Sequence, residues 1–272
     1  MNATRTSLRA AGVVGTAGAL VLLATPATAA DTATVSVLHA VPDTPVDVYA
    51  NGERLIDDFQ PGTLTDPLEL PAGSYDLALF PADAADGSGN PLLSANGVAV
   101  PAGANATVVA HLTAEGQPAL TPFVNDVSAV PAGQARVTVR HTAAAPAVDV
   151  RAGGTPVAPG LTNPNEATLT VPAGTVNADV VLAGTQTVAI GPADLTLAEG
   201  TTTIVYAWGS EEAGFELAVQ TISGAHSAPS GVPGGTAGLV DDGSLPMPVA
   251  ALSVIGLVAA GAGALRLAGS RG

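Results

Sequence analysis

The chain has no cysteine and no lysine. Without cysteine there are no disulfides, no zinc-thiolate sites and no cysteine nucleophile. All eight basic residues are arginines, and four of them (Arg5, Arg9, Arg266, Arg271) lie near the two ends. Every one of the 23 carboxylates lies between Asp31 and Asp242, where only four arginines oppose them. A surface this acidic repels nucleic acid and anionic lipid and keeps a domain in solution; cations or basic surfaces are its natural partners. Aromatics are also scarce: four Phe, three Tyr and one Trp in 272 residues. The core must then be built from small, often β-branched aliphatics, which favour strands. No stretch carries a convincing amphipathic-helix period. Neither Ser36 nor Ser74 sits in a G-x-S-x-G elbow, and there is no glycine-rich phosphate loop.

What is present is a repeat. Val35 to Gly52 reads V-S-V-L-H-A-V-P-D-T-P-V-D-V-Y-A-N-G, and Val137 to Gly154 reads V-T-V-R-H-T-A-A-A-P-A-V-D-V-R-A-G-G. His39 aligns with His141, Asp47 with Asp149 and Gly52 with Gly154. The period is two: Val35, Val37 and His39 share one strand face, and Val137, Val139 and His141 share its counterpart. Val46, Val48 and Ala50 share a face in the next strand, opposite Asp47 and Tyr49. P-A-G recurs at Pro71, Pro101, Pro131 and Pro172, each time after Leu or Val. Proline in the second turn position and glycine in the fourth would make these tight turns. About seven short strands per copy indicate an all-β chain of two tandem immunoglobulin-like β-sandwich domains, 31–129 and 130–224, each of a size that can hold its own core.

The ends read as addresses. Residues 1–30 have the three parts of a signal peptide: Arg5 and Arg9, an apolar run from Ala10 to Ala24, and small residues for cleavage after Ala29 or Ala30. Residues 225–248 form a Gly/Pro/Ser-rich flexible linker. Residues 249–267 then make a short transmembrane anchor, with 268–272 as a cytoplasmic tail. The tail is similar to a cell-wall sorting signal. Leu245-Pro246-Met247-Pro248-Val249 departs from L-P-x-T-G at its last two positions, which argues for a retained membrane anchor over covalent attachment to the wall.

The run H-A-V-P-D-T-P-V-D-V-Y-A-N-G from His39, followed by L-E-L-P-A-G-S-Y-D-L, resembles the domain of unknown function 4397 family. The resemblance covers Val35 to about Val124. The second copy keeps His141, Pro146, Val148, Asp149 and Val150 but has Ala145 for Asp43 and Arg151 for Tyr49. The resemblance implies a secreted, β-rich bacterial surface domain and brings no catalytic residue with it.

One cluster has site-like chemistry. His39, Asp43 and Asp47 could ligate a divalent metal or act as an acid/base pair; the competing reading is a loop braced by its own hydrogen bonds. Asp83, Asp86 and Asn90 offer oxygens in a glycine-containing loop without an EF-hand pattern. Tyr49, Tyr75, Tyr206 and Trp208 could stack on sugars or fill a core. No catalytic residue and no cofactor is assigned. The expected protein is a non-enzymatic, membrane-anchored extracellular surface protein, held at the plasma membrane by its C-terminal helix. It would act as a structural, adhesive or interaction module, with cell-wall or surface components as partners and no nucleic acid. The alternatives are a ligand-binding module for cell-wall glycan or a divalent cation, and a metal-assisted enzyme using the His39 loop.

Overall fold

The structure, a computed structural model, describes residues 31–225. The expected signal peptide, the linker beyond Ala225, the membrane anchor and the tail lie outside the described residues. Among the described residues no helix is long and apolar enough to cross a membrane.

Sixteen strands run in chain order. The first half holds β1 (Thr32–Ala40), β2 (Val46–Ala50), β3 (Glu53–Phe59), β4 (Leu68–Pro71), β5 (Gly73–Pro81), β6 (Leu93–Val100), β7 (Asn105–Leu112) and β8 (Pro118–Val124). The second holds β9 (Gln134–His141), β10 (Val148–Ala152), β11 (Thr155–Leu161), β12 (Glu166–Pro172), β13 (Gly174–Leu182), β14 (Val188–Leu197), β15 (Thr202–Ser210) and β16 (Gly214–Ile222). Each half has eight strands, one more than the turn spacing suggests; β4 is only four residues long and merges into the Pro71 turn. The sheets are β4-β1-β7-β8 and β3-β2-β5-β6 in the first half, then β12-β9-β15-β16 and β11-β10-β13-β14 in the second. The second half repeats the strand order of the first. It repeats the parallel pair as well, β1 with β7 and β9 with β15, among otherwise antiparallel neighbours.

Period-two alternation places the core. Val37, Val46, Val48, Phe59, Leu79 and Ala110 pack the two sheets of the first half face to face. Val137, Val139, Val148, Val150 and Val180 do the same in the second. Alternation alone predicts polar outer faces, yet β1, β7, β9 and β15 are buried on both sides. The outer face of β4-β1-β7-β8 packs on that of β12-β9-β15-β16 through Leu38, Ala40, Val109 and Phe123 against Ile204, Tyr206, Trp208 and Ala218. Residues 31–225 are therefore four sheets deep, and their central joint is a third hydrophobic core shared by both halves. The sandwiches are not two free modules.

Several polar residues in the joint are paired with one another, although Trp208 Nε1 and Asn163 Oδ1 are buried without a partner. Tyr206 Oη donates to Gln220 Oε1 at 2.7 Å and accepts from Arg140 Nη1 at 2.9 Å. Thr107 Oγ1 donates to the same Gln220 oxygen at 3.0 Å, while Gln220 Nε2 reaches Ser36 Oγ at 3.3 Å. The Arg140 guanidinium lies 4.4 Å over the Phe123 ring and donates to Glu166 at 2.7 Å. Asn163 Nδ2 donates to the carbonyls of Leu112 and Ala143, one from each half. The connection between halves is clamped too: Arg136 donates to the carbonyls of Asp126 and Ser128. Ala225, expected to open the flexible linker, is buried, and its carbonyl accepts from Val130 N at 2.6 Å.

The P-A-G turns have a different register from the expected one. Gln134 N donates to Pro131 O and Ala104 N to Pro101 O, so proline takes the first turn position and glycine the third. Gly103 and Gly133 sit at φ 71° and 77°, the left-handed region that a third-position glycine supplies in a type II turn. The other two P-A-G segments lie where β4 passes to β5 and β12 to β13, each a crossing from one sheet to the other.

Candidate functional site

His39 ends the inward face of β1 and is fully buried. Val41 N lies 3.4 Å from its Nδ1, which accepts; Nε2–H then donates to Thr44 O at 2.7 Å. His141 repeats the arrangement with Ala143 N at 3.4 Å and Pro146 O at 2.9 Å. Both ring nitrogens are occupied by backbone, so neither imidazole has a lone pair free for a metal. Burial holds both below the ordinary histidine value of 6.5, against the raising effect of the carbonyl bond. Each histidine spans the loop between the first two strands of its half and fixes that loop's course.

Asp47 points from the opposite face of the β2 sheet and is fully buried. Its Oδ1 accepts from Asp58 N at 2.9 Å and its Oδ2 from Arg54 Nη1 at 3.2 Å. Asp149 does the equivalent work, accepting from Gly160 N at 2.7 Å and Gly184 N at 3.0 Å. These two amides hold the Asp149 carboxyl below the usual carboxylate range. Asp58 and Gly160 both lie in a bulge, where the pairing of β2 with β3, and of β10 with β11, slips between the first and third residues of the shorter partner. Their φ values are 50° and 66°. The repeated aspartate thus pins a β-bulge to its neighbour strand. The third repeated residue, Gly52 or Gly154, closes the hairpin that follows: Asn51-Gly52 at φ 51° and 81°, and Gly153-Gly154 at 55° and 80°, make two-residue turns with both positions left-handed.

The expected cluster of His39, Asp43 and Asp47 does not come together. Asp43 is exposed on the loop at φ 56°, His39 faces the sandwich interior beside Phe59, and Asp47 faces the other way. The bulge gathers a different set: Asp47, Asp57 and Asp58 each offer a carboxylate oxygen within 4.8 Å of the others. Arg54 Nη1 stands among them, 3.2 Å from Asp47 and 2.7 Å from Asp57, so two of the three carboxylates already share a counter-charge. Asp57 and Asp58 become neighbours of Asp47 only through the bulge, and no spacing rule marks them.

The Asp83–Asn90 loop lies over the outer face of the β3-β2-β5-β6 sheet. Gly87 packs so closely on the Tyr49 ring that a side chain there would collide with it, and Tyr49 meets Phe80 edge-on at 5.3 Å. Asp86 accepts from Ser88 N within its own turn, and the hydrogen bonds from Ser88 hold its carboxyl below the usual range. Tyr206 and Trp208 belong to the central joint, Tyr49 lies under the loop, and Tyr75 closes on Pro71 O at 2.7 Å. The four rings form no common platform.

With this geometry in view, the chain can be placed. Residues 33–151 match the family model "Domain of unknown function (DUF4397)". The match runs from β1 into β10, so its limits are not those of one sandwich. No curated protein matches the chain. A crystal structure described as a "putative cell adhesion protein" from Bacteroides uniformis is 10% identical, with 71% of this chain and 99% of that chain covered, at a TM-score of 0.19. Similarity at that level carries no argument about this chain.

Proposed function

We propose that the chain is a non-enzymatic, membrane-anchored extracellular surface protein. Its two immunoglobulin-like sandwiches act as one stiff structural or adhesive module. One observation carries the reading: in both halves the repeated His, Asp and Gly are engaged in bracing backbone, at a loop, a bulge and a hairpin. A repeat retained for catalysis would keep a proton-transfer group facing solvent or a cleft. The acidic exterior, the signal-like start and the apolar, arginine-ended tail support an extracellular position.

Two measurements on cells producing the full chain test it. Protease added to intact cells should remove the folded region, and deletion of residues 249–272 should release the protein into the medium. Protection from protease, or retention in the cytoplasm, would overturn the location. A reproducible hydrolase or transferase activity lost on His39→Ala while the fold persists would overturn the non-enzymatic reading.

A further inference from the structure

We propose that the second sandwich contains a binding cavity for a small, uncharged hydrocarbon molecule of about six carbons. The two halves share a topology but not a packing density. Between the sheets of the first half lies a void of about 30 Å³; between those of the second lies one of about 100 Å³. Side-chain size at matching register positions explains the difference. Val46 and Val48 pair with Phe59 and Ile56, whereas their counterparts Val148 and Val150 pair with Leu161 and Ala158. Val48 and Ala50 pair with Leu79 and Leu77 on β5, whereas Val150 and Ala152 pair with Val180 and Ala178 on β13. Two residues earlier, Val176 stands in β13 where β5 has Tyr75. All five equivalent positions change from large to small, three of them (Val176, Ala178 and Val180) on the lining of the larger void, while Leu195 and Leu197 in place of Val98 and Val100 refill only part of the space.

Natural interiors hold few voids larger than a water molecule. A void of about 100 Å³ lined almost wholly by Val, Leu, Ile and Ala stays dry, because water there finds too few hydrogen-bonding partners. An apolar cavity of about 150 Å³ accepts benzene, which sets the size class. The charged residues on its lining, Arg151 and Asp179, are bound to each other, with Arg151 Nε 2.7 Å from Asp179 Oδ1. The cavity therefore presents no free charge, and a carboxylate or ammonium group would lose its hydration without compensation. Val157, also on the lining, is exposed, so the void reaches the surface at β11.

The test titrates the full chain with benzene and with a series of straight-chain alcohols, following the melting temperature and the methyl resonances of Val, Leu and Ile. Two variants, Ala178→Leu and Val180→Leu, restore residues of the first sandwich at positions on the lining and fill the void; any binding elsewhere in the chain is common to all three proteins. The expected result is a saturable rise in melting temperature with benzene, methyl shifts confined to the second sandwich, and at least tenfold weaker binding in whichever filled variant folds. No saturable response in the unmodified chain, or an undiminished one in the filled variants, would overturn the proposal. So would affinity that keeps rising beyond about eight carbons, since that would show an open groove holding an extended acyl chain.

Discussion

Replacing His39 or His141 with alanine removes a ring that holds one carbonyl and one amide of its loop, both shielded from solvent. The expected cost is about 1–3 kcal/mol each, the range for buried polar groups left unpaired, read from chemical denaturation; unchanged midpoints would contradict the bracing role. Both rings, and His111 at the joint, are held below 6.5 chiefly by burial. The unfolded chain binds protons at these positions more readily than the folded one. Stability is therefore complete above pH 6.5 and falls as the pH drops below it toward the lowered folded values. Urea midpoints at pH 7.5 and 5.5 should differ in that direction. Two substitutions should stabilise. Asp58 holds a left-handed φ where its counterpart is Gly160, so Asp58→Gly should gain up to about 1 kcal/mol. Thr203 is buried on the inward face of β15 with no partner for its hydroxyl, and Thr203→Val should gain about 1 kcal/mol in the same assay.

At the scale of single elements, the β15–β16 hairpin depends on Gly209. Its φ is 100°, and a Cβ there would run into the Gly214 carbonyl oxygen across the ladder. Gly209→Ala should cost about 1–3 kcal/mol and increase amide exchange along β16 more than along β9; uniform exchange would show that the hairpin absorbs the change. The strands themselves were legible in the sequence because one face of each obeys a period of two. The repeated His, Asp and Gly were legible as positions but not as jobs. Asp47 acts on the amide of Asp58, eleven residues away, only because a bulge turns that amide toward it. Bulges leave no periodic trace, which is why His39, Asp43 and Asp47 looked like a cluster and Asp57 and Asp58 did not. The turn proline was misplaced by one position for a related reason: P-A-G fits two registers of a β-turn, and only the partner amide decides between them.

For the molecule as a whole, the feature least visible in the sequence is the central joint. Ser36, Leu38 and Ala40 alternate with Val35, Val37 and His39 as an outer face should, and nothing local shows that another sheet covers them. Arg140, Thr107 and Gln220 look like surface residues because their partners lie up to 184 positions away. The joint predicts how the halves behave apart. Residues 31–129 and 130–225, produced separately, should each expose an apolar sheet face, bind a hydrophobic dye and self-associate, whereas 31–225 should unfold in one calorimetric transition. Two well-resolved transitions, with soluble monomeric halves, would show that the joint contributes little. Within it, Tyr206→Phe leaves Gln220 and Arg140 each short of a partner and should cost about 1–3 kcal/mol.

The parallel pairing of the first strand of each half with the seventh sets a timetable. Thr34 must wait for Asn105, and Arg136 for Thr202, before the inner sheets can close. Closing such long loops is entropically slow, and the contacts that reward it come last. A chain extended from its N-terminus to residue 200 already holds fourteen of the sixteen strands. It still lacks Ile204, Tyr206, Trp208 and Ala218, the buried hydrophobic side chains that the second half brings to the joint, so the first half's outer sheet face stays open until the last two strands arrive.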